Sequence, residues 1–226
     1  MTSRASLLAG LCAASLVAVV PGAAMAQSVA ATQDLTCAGN RYGSELGCTA
    51  GEFTVGATFT AAPGSPAFCT AGEIFVFDAA LSLSGSNADR YDMGFFVGQQ
   101  NNSPKAATAG NICSVSTFPT TPSPFLDLDG DACGDYLAGG VSNPIVTGLK
   151  VVCSAEAGSN LAIPYVLTYL QNTGATCSVG NVGPSSPSKC NSGSATLEIS
   201  VHGVVVQMSS AAPRSASGPS STGNRT

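Results

Sequence analysis

Glu52-Phe-Thr-Val-Gly-Ala-Thr-Phe-Thr60 puts Phe53, Val55, Ala57 and Phe59 on one side of an extended chain and Glu52, Thr54, Gly56, Thr58 and Thr60 on the other. Successive side chains of a strand point to opposite faces, so this alternation predicts a half-buried β-strand. The same period of two returns at Tyr91, Met93, Phe95 and Val97, and at Leu149, Val151 and Cys153. It returns again at Tyr165, Leu167 and Tyr169, and at Leu197, Ile199 and Val201. Glu73 to Leu83 is apolar on both faces, which predicts a central strand. Val29 to Cys37 and Ile112 to Phe118 carry a weaker strand signal. Between these runs lie turn clusters at 62–66, 101–104, 119–124, 139–144 and 180–194. No stretch holds an i, i+3, i+4 pattern long enough for a helix of three turns. The reading is an all-β domain of roughly seven to nine strands, an immunoglobulin-like two-sheet sandwich, with a closed β-barrel as the alternative.

The ends of the chain have a different character. Arg4, the apolar run Ala5 to Val20 and the small-x-small triplet Ala24-Met25-Ala26 read as a cleavable export signal over 1–26. Pro21 and Gly22 stop the apolar run short of the ~20 residues that span a bilayer. Lipid attachment at Cys12 is disfavoured by the bulky Leu11 before it. Residues 208–226 are mostly Ser, Ala, Gly, Pro and Thr, which predicts a disordered tail without an apolar anchor. The domain is thus placed at 27–207, and the mature protein is expected to be secreted, at the cell surface or in the periplasm.

The chain has a net charge of −5, and cleavage at residue 26 removes Arg4, one of its 8 basic residues. So acidic a balance excludes nucleic acid as a partner, because phosphate binding needs a basic stripe. Cleavage also removes Cys12, one of 9 cysteines, leaving Cys37, Cys48, Cys69, Cys113, Cys133, Cys153, Cys177 and Cys190. An even set in an exported chain reads as disulfides, and no C-x-x-C pair offers the zinc alternative. Cys177–Cys190, closing a Gly/Pro/Ser-rich loop, and Cys113–Cys133 are the expected pairings among the many that eight cysteines allow. Cys48-Thr-Ala-Gly-Glu52 and Cys69-Thr-Ala-Gly-Glu73 echo each other, which suggests paired strands with similar lead-in turns.

One segment is chemically loaded. Asp127-Leu-Asp-Gly-Asp-Ala-Cys-Gly-Asp135 places Asp127, Asp129, Asp131 and Asp135 at positions 1, 3, 5 and 9 of a loop. That spacing wraps oxygen ligands around calcium, a hard cation tolerant of irregular geometry. It resembles the D-x-D-G-D loops of thrombospondin type 3 and dockerin-like modules. Glycine stands at position 4, and Ala138 stands where an EF-hand carries its bidentate acid, so a remote acid such as Asp89 or Asp92 would complete the set. A solvated acidic turn pinned by Cys133 fits the same residues.

His202 lies on the polar side of the last strand, with no nucleophile elbow to serve. Asp89 and Asp92 would suit a hydrolase, but the chain has no tryptophan to stack a sugar, and pairing of Arg90 with a neighbouring acid explains the run more simply.

Taken in order, C-T-A-G-E, Arg90 to Val97 (R-Y-D-M-G-F-F-V), the acidic loop, Ile163 to Val166 (I-P-Y-V) and Ser188 to Gly193 (S-K-C-N-S-G) resemble an uncharacterised family of secreted, cysteine-rich bacterial β-domain proteins. Its members often occur beside immunoglobulin-like surface repeats. The resemblance implies export and a cysteine-framed β domain held at the cell surface. The expected function is a non-enzymatic structural, adhesive or binding role toward an extracellular protein or glycan. A calcium-stabilised binding module and a secreted hydrolase using Asp carboxylates are the alternatives.

Overall fold

The computed structural model describes residues 28–202, apart from 35, 101, 122–124, 155–157 and 174–175. The export signal and the tail read from the sequence lie outside these residues. The elements are β1 Ser28–Ala30, β2 Thr32–Asp34, α1 Ala38–Tyr42, β3 Thr54–Ala61, β4 Phe68–Thr70, β5 Ile74–Ser84, β6 Tyr91–Val97 and β7 Cys113–Thr117. They continue with β8 Phe125–Leu126, β9 Asp135–Tyr136, β10 Val141–Ser142, β11 Ile145–Val152, β12 Leu161–Leu170, β13 Cys190–Leu197 and β14 Ser200–His202. The chain is all-β, as its period of two predicts, and β3 and β5, which follow the two C-T-A-G-E stretches, pair antiparallel along their length.

One large sheet runs β1-β11-β5-β3-β13-β12-β6-β7-β2, with β10 beside β5. It bends into two facing halves, so the sandwich and barrel readings meet in one nearly closed sheet. The halves join at two weak seams. Between β3 and β13 only Leu197 and Phe59 pair. There Tyr165 Oη donates to the Val55 carbonyl, and Asn191 Nδ2 donates to the carbonyls of Phe53 (2.8 Å) and Ala50 (3.3 Å). At the other seam the first strand changes sides at Ala31, for β1 pairs parallel with β11 and β2 antiparallel with β7. Below it, Ser114 Oγ accepts from Lys150 N (2.8 Å) and donates to Lys150 O (3.1 Å). Side chains thus supply the hydrogen bonds that a backbone ladder lacks at both seams.

Between the halves lies a core of buried apolar groups that includes Phe53, Phe59, Phe77, Phe95, Leu149, Leu167 and Tyr169. Phe53 meets Tyr136 and Tyr169 edge-on, with centroids 4.9 and 5.2 Å apart. A second cluster sits on the outer face of β6, β7 and β12. Phe96, Val115 and Val166 are covered there by Cys37, Ala38, Leu46, Cys177 and Val182 from the segments before β3 and before β13. That half of the sheet is therefore the middle of three layers.

The disulfides are Cys37–Cys113, Cys48–Cys190, Cys69–Cys153 and Cys133–Cys177. The expected short-range pairs Cys177–Cys190 and Cys113–Cys133 do not form. The four bridges span 76, 142, 84 and 44 residues, because each joins segments distant in sequence rather than closing its own loop: Cys37 and Cys48 are tied to β7 and β13, β4 to the end of β11, and the acidic loop to the loop before β13. Closing such long loops removes the most freedom from the unfolded chain, about 3–5 kcal/mol for each bridge. Three of the four anchor the outer loop layer.

Two strand expectations are exchanged. β5, read as apolar on both faces, buries Phe75, Phe77, Ala79, Leu81 and Leu83 and leaves Ile74 57% exposed. β6, read as half-buried, is buried at every residue from Asp92 to Val97 because the loop layer lies on it.

Candidate functional site

The acidic loop joins β8 to β9 and is laid against the start of β6. Tyr136 N donates to Arg90 O (2.7 Å), Arg90 N donates to Tyr136 O (3.0 Å), and Met93 N donates to Gly134 O (3.0 Å). Gly130 turns the loop at φ 93°, a backbone region that suits glycine. Gly134 passes so close beneath the Pro119 carbonyl that a Cβ would collide with it. The register of β6 against β12 slips between Thr168 and Leu170, opposite Asp92 and Met93. Asp92 there adopts φ 51°, a left-handed conformation that Asp tolerates better than most residues. Bulges of this kind re-aim a side chain, and this one carries Asp92 toward the loop.

Each acid of the loop has its own place. Asp127 Oδ1 accepts from Gly130 N (2.6 Å) and Asp131 N (3.1 Å), which closes the turn. Asp131 accepts from Cys133 N (2.8 Å) and, through its other oxygen, from Cys177 N (2.6 Å) across the disulfide. Asp135 accepts from Asp92 N (2.9 Å) and Leu128 N (2.6 Å). Asp92, Asp129 and Asp135 each bring a carboxylate oxygen within 4.8 Å of the other two. The structure thus gathers Asp129 and Asp135 around Asp92, one of the two remote acids the sequence suggested. It commits Asp127 and Asp131 to backbone N–H groups, and Asp89 to the N–H of Ala138 (2.9 Å). A further grouping of Asp131 with Cys133 and Cys177 offers no thiolate, since the two sulfurs are bonded to each other.

Asp92 is 4% exposed, and its Oδ1 has no hydrogen-bond partner. Burial, then the charges of Asp131, Asp129 and Asp135, push its carboxyl up to about 7. Burial likewise raises Asp135; the N–H groups of Asp92 and Leu128 counteract this only in part, and Asp129 and Asp131 add to it. Crowding and burial therefore favour a proton or a cation held between these carboxyls.

Asp92 also lines a cavity of about 270 Å³, with Arg41, Tyr42, Leu170, Asn181 and Pro184 among its walls. The sequence held no signal for it: Asn181 to Pro184 read only as a turn. Arg41 lies over the Phe96 ring at 5.1 Å and donates to Val182 O.

The remaining expectations resolve simply. Arg90 pairs with Glu52 (2.6 Å), 38 residues away, rather than with a neighbouring Asp, and Lys189 joins the same carboxylate. Burial raises Glu52, but the hydrogen bonds and charges of Lys189 and Arg90 outweigh it and hold the carboxyl below its usual value. His202 is exposed and stacks on Phe68, with centroids 4.4 Å apart. Among the described residues no helix is long and apolar enough to cross a membrane.

No family model and no curated protein matches the chain. Among solved structures it is similar to AvmM, which catalyses macrocyclization in alchivemycin A biosynthesis, with a TM-score of 0.35 and 10% identity over 65% of this chain and 88% of that one. A likeness that slight carries neither fold nor function.

Proposed function

We propose that this chain is an exported, non-enzymatic β module whose outer loop layer is locked by a calcium ion held between Asp92, Asp129 and Asp135. The observation that carries the reading is Asp92, whose buried carboxyl has a partnerless oxygen and lies within reach of two further acids. An isolated buried carboxylate costs several kcal/mol, and a cation removes that cost. Oxygens sharing one calcium at 2.3–2.6 Å stand no more than about 5 Å apart, and the three carboxylate oxygens, all within 4.8 Å of one another, meet that limit. Calcium suits an all-oxygen, anionic set and is abundant outside cells, where four disulfides are also at home. A structural or binding role is supported by the chemistry of the rest of the described chain. Its cysteines are bonded in pairs, and its one histidine stacks on Phe68.

Calorimetry tests the reading. Millimolar calcium is expected to raise the melting temperature of the EDTA-treated protein by several degrees, and Asp92→Asn is expected to abolish the rise. A melting curve that ignores calcium overturns the proposal.

A further inference from the structure

We infer that the cavity beside Asp92 is a sugar pocket, in which the cation presents its open coordination positions to vicinal hydroxyls of a neutral saccharide. This rests on the calcium reading and adds the ligand class to it. The first argument is coordination. Calcium takes 6–8 oxygens. Both oxygens of Asp135 already accept backbone N–H groups, so this acid has little capacity left beyond one metal bond. With one oxygen from each of the three acids, at least three positions are left for water or for a ligand. Asp92 belongs both to the acid cluster and to the cavity wall, so those positions are reached from the cavity.

The walls give the second argument. Tyr42, the last residue of α1, is 38% exposed and lines the cavity, while Leu170 and Pro184 add apolar surface. Aromatic and aliphatic surface beside a few fixed polar groups is the composition of a small-molecule site. The polar wall is built in advance. Asn181 Oδ1 accepts from Ser178 N (2.6 Å), and its Nδ2 donates to Thr176 O (2.8 Å), so the 176–182 turn is held independently of any ligand. The Cys133–Cys177 bridge ties this turn to the acidic loop.

Charge selects among oxygen ligands. Asp92 in the cavity wall has the charges of Asp129, Asp131 and Asp135 close behind it, and the Arg41 guanidinium is already engaged by Phe96 and Val182. A phosphate or carboxylate entering here meets like charge that the single arginine does not offset. Sugar hydroxyls coordinate calcium without bringing charge, and the C–H face of the ring can lie on Tyr42.

The test is a titration of the full chain, followed by NMR, with methyl α-D-mannopyranoside and methyl β-D-galactopyranoside in millimolar calcium and in EDTA. At least one sugar is expected to bind in the millimolar range with shifts at Tyr42 and Asn181, and EDTA is expected to abolish binding. Tyr42→Ala is expected to weaken it at least tenfold while leaving the calcium-induced rise in melting temperature intact. Failure of both sugars on protein that still responds to calcium overturns the pocket and leaves the calcium site standing. Absence of the calcium response overturns both. Sugar binding that survives EDTA, or a preference for glucuronate, overturns the role given to the cation.

Discussion

β5 and β6 occupy equivalent places, each inside one half of the sheet, yet their outer faces are finished in opposite ways. On β5 the outward residues Ile74 and Ala80 meet solvent. On β6 the outward Phe96 is fully buried beneath Val182 and the cysteine-rich loops. The inner faces need no such help, since each half covers the other with apolar side chains. A layer of loops has no ladder of its own to hold it down. Three disulfides, the Glu52 pairs with Arg90 and Lys189, and the acid cluster do that work. The half with the open face carries one disulfide and no comparable polar cluster among the described residues. Crosslinks and charge collect where secondary structure is missing.

The largest way to break this contrast is to empty the outer layer. Phe96→Ala removes a fully buried ring on which Arg41 stacks, and is expected to cost about 3–5 kcal/mol, as a core phenylalanine does. Phe95→Ala, on the inner face of the same strand, provides the yardstick in urea denaturation. A cost below about 1 kcal/mol for Phe96→Ala would show the loops to be a loose cover rather than a packed layer.

The exchange between β5 and β6 also marks what the sequence discloses. Phe53, Val55 and Phe59 announce β3, and Tyr165, Leu167 and Tyr169 announce β12, because alternation reports a face that the opposing half covers. Nothing local reports the loop layer. Gly94 and Phe96 look like the polar-side positions of an ordinary strand until the segments around Cys37 and Cys177 are known to cross above them. The same gap explains the disulfides: Cys48 and Cys190 are 142 residues apart and meet only once the sheet has bent. At the site, four carboxylates in nine residues advertise a charge problem. Which of them face inward depends on the bulge at Asp92, a departure from regular pairing that a period of two does not encode.

Asp92 gives a second, smaller test, in which the acid cluster of the covered half makes stability respond to pH in opposite directions with and without calcium. Its carboxyl stands near 7 in the fold, against about 4 in the unfolded chain. The folded state therefore binds the proton more tightly, and stability of the calcium-free protein falls as pH rises from about 4 to about 7. The contribution of this group is bounded at ~4 kcal/mol, at 1.36 kcal/mol per unit. Calcium binds only the ionised acids, so with calcium present stability is expected to rise across the same window. Urea midpoints across that range, with calcium and with EDTA, check the sign. Subtracting the Asp92→Asn profile removes the titration of other carboxyls. Parallel slopes in the two conditions would mean that the cluster and the ion do not meet.

The finest test adds a little bulk to each outer face. At Gly94 on β6 a new Cβ would stand 2.8 Å from Val182 Cγ2 and 2.8 Å from Thr168 Oγ1, so Gly94→Ala must push the loop layer outward. It is expected to destabilise by about 1–3 kcal/mol, the usual cost of overpacking. Ala80, the matching small residue on β5, is exposed and paired across the strand with Thr58 and Ile145. Ala80→Thr adds a β-branched side chain to an open pleated surface, and its effect is expected to stay within about 0.5 kcal/mol, with any bias toward stabilisation. The two variants melted side by side separate a covered face from an open one without removing a contact from either. Because Gly94 is two residues from Asp92 along the strand, Gly94→Ala is also expected to weaken the calcium response by lifting the layer from the bulge. Ala80→Thr is expected to leave it unchanged. Equal and small effects at both positions would mean that the loops yield freely, and the burial of β6 would then owe little to their packing.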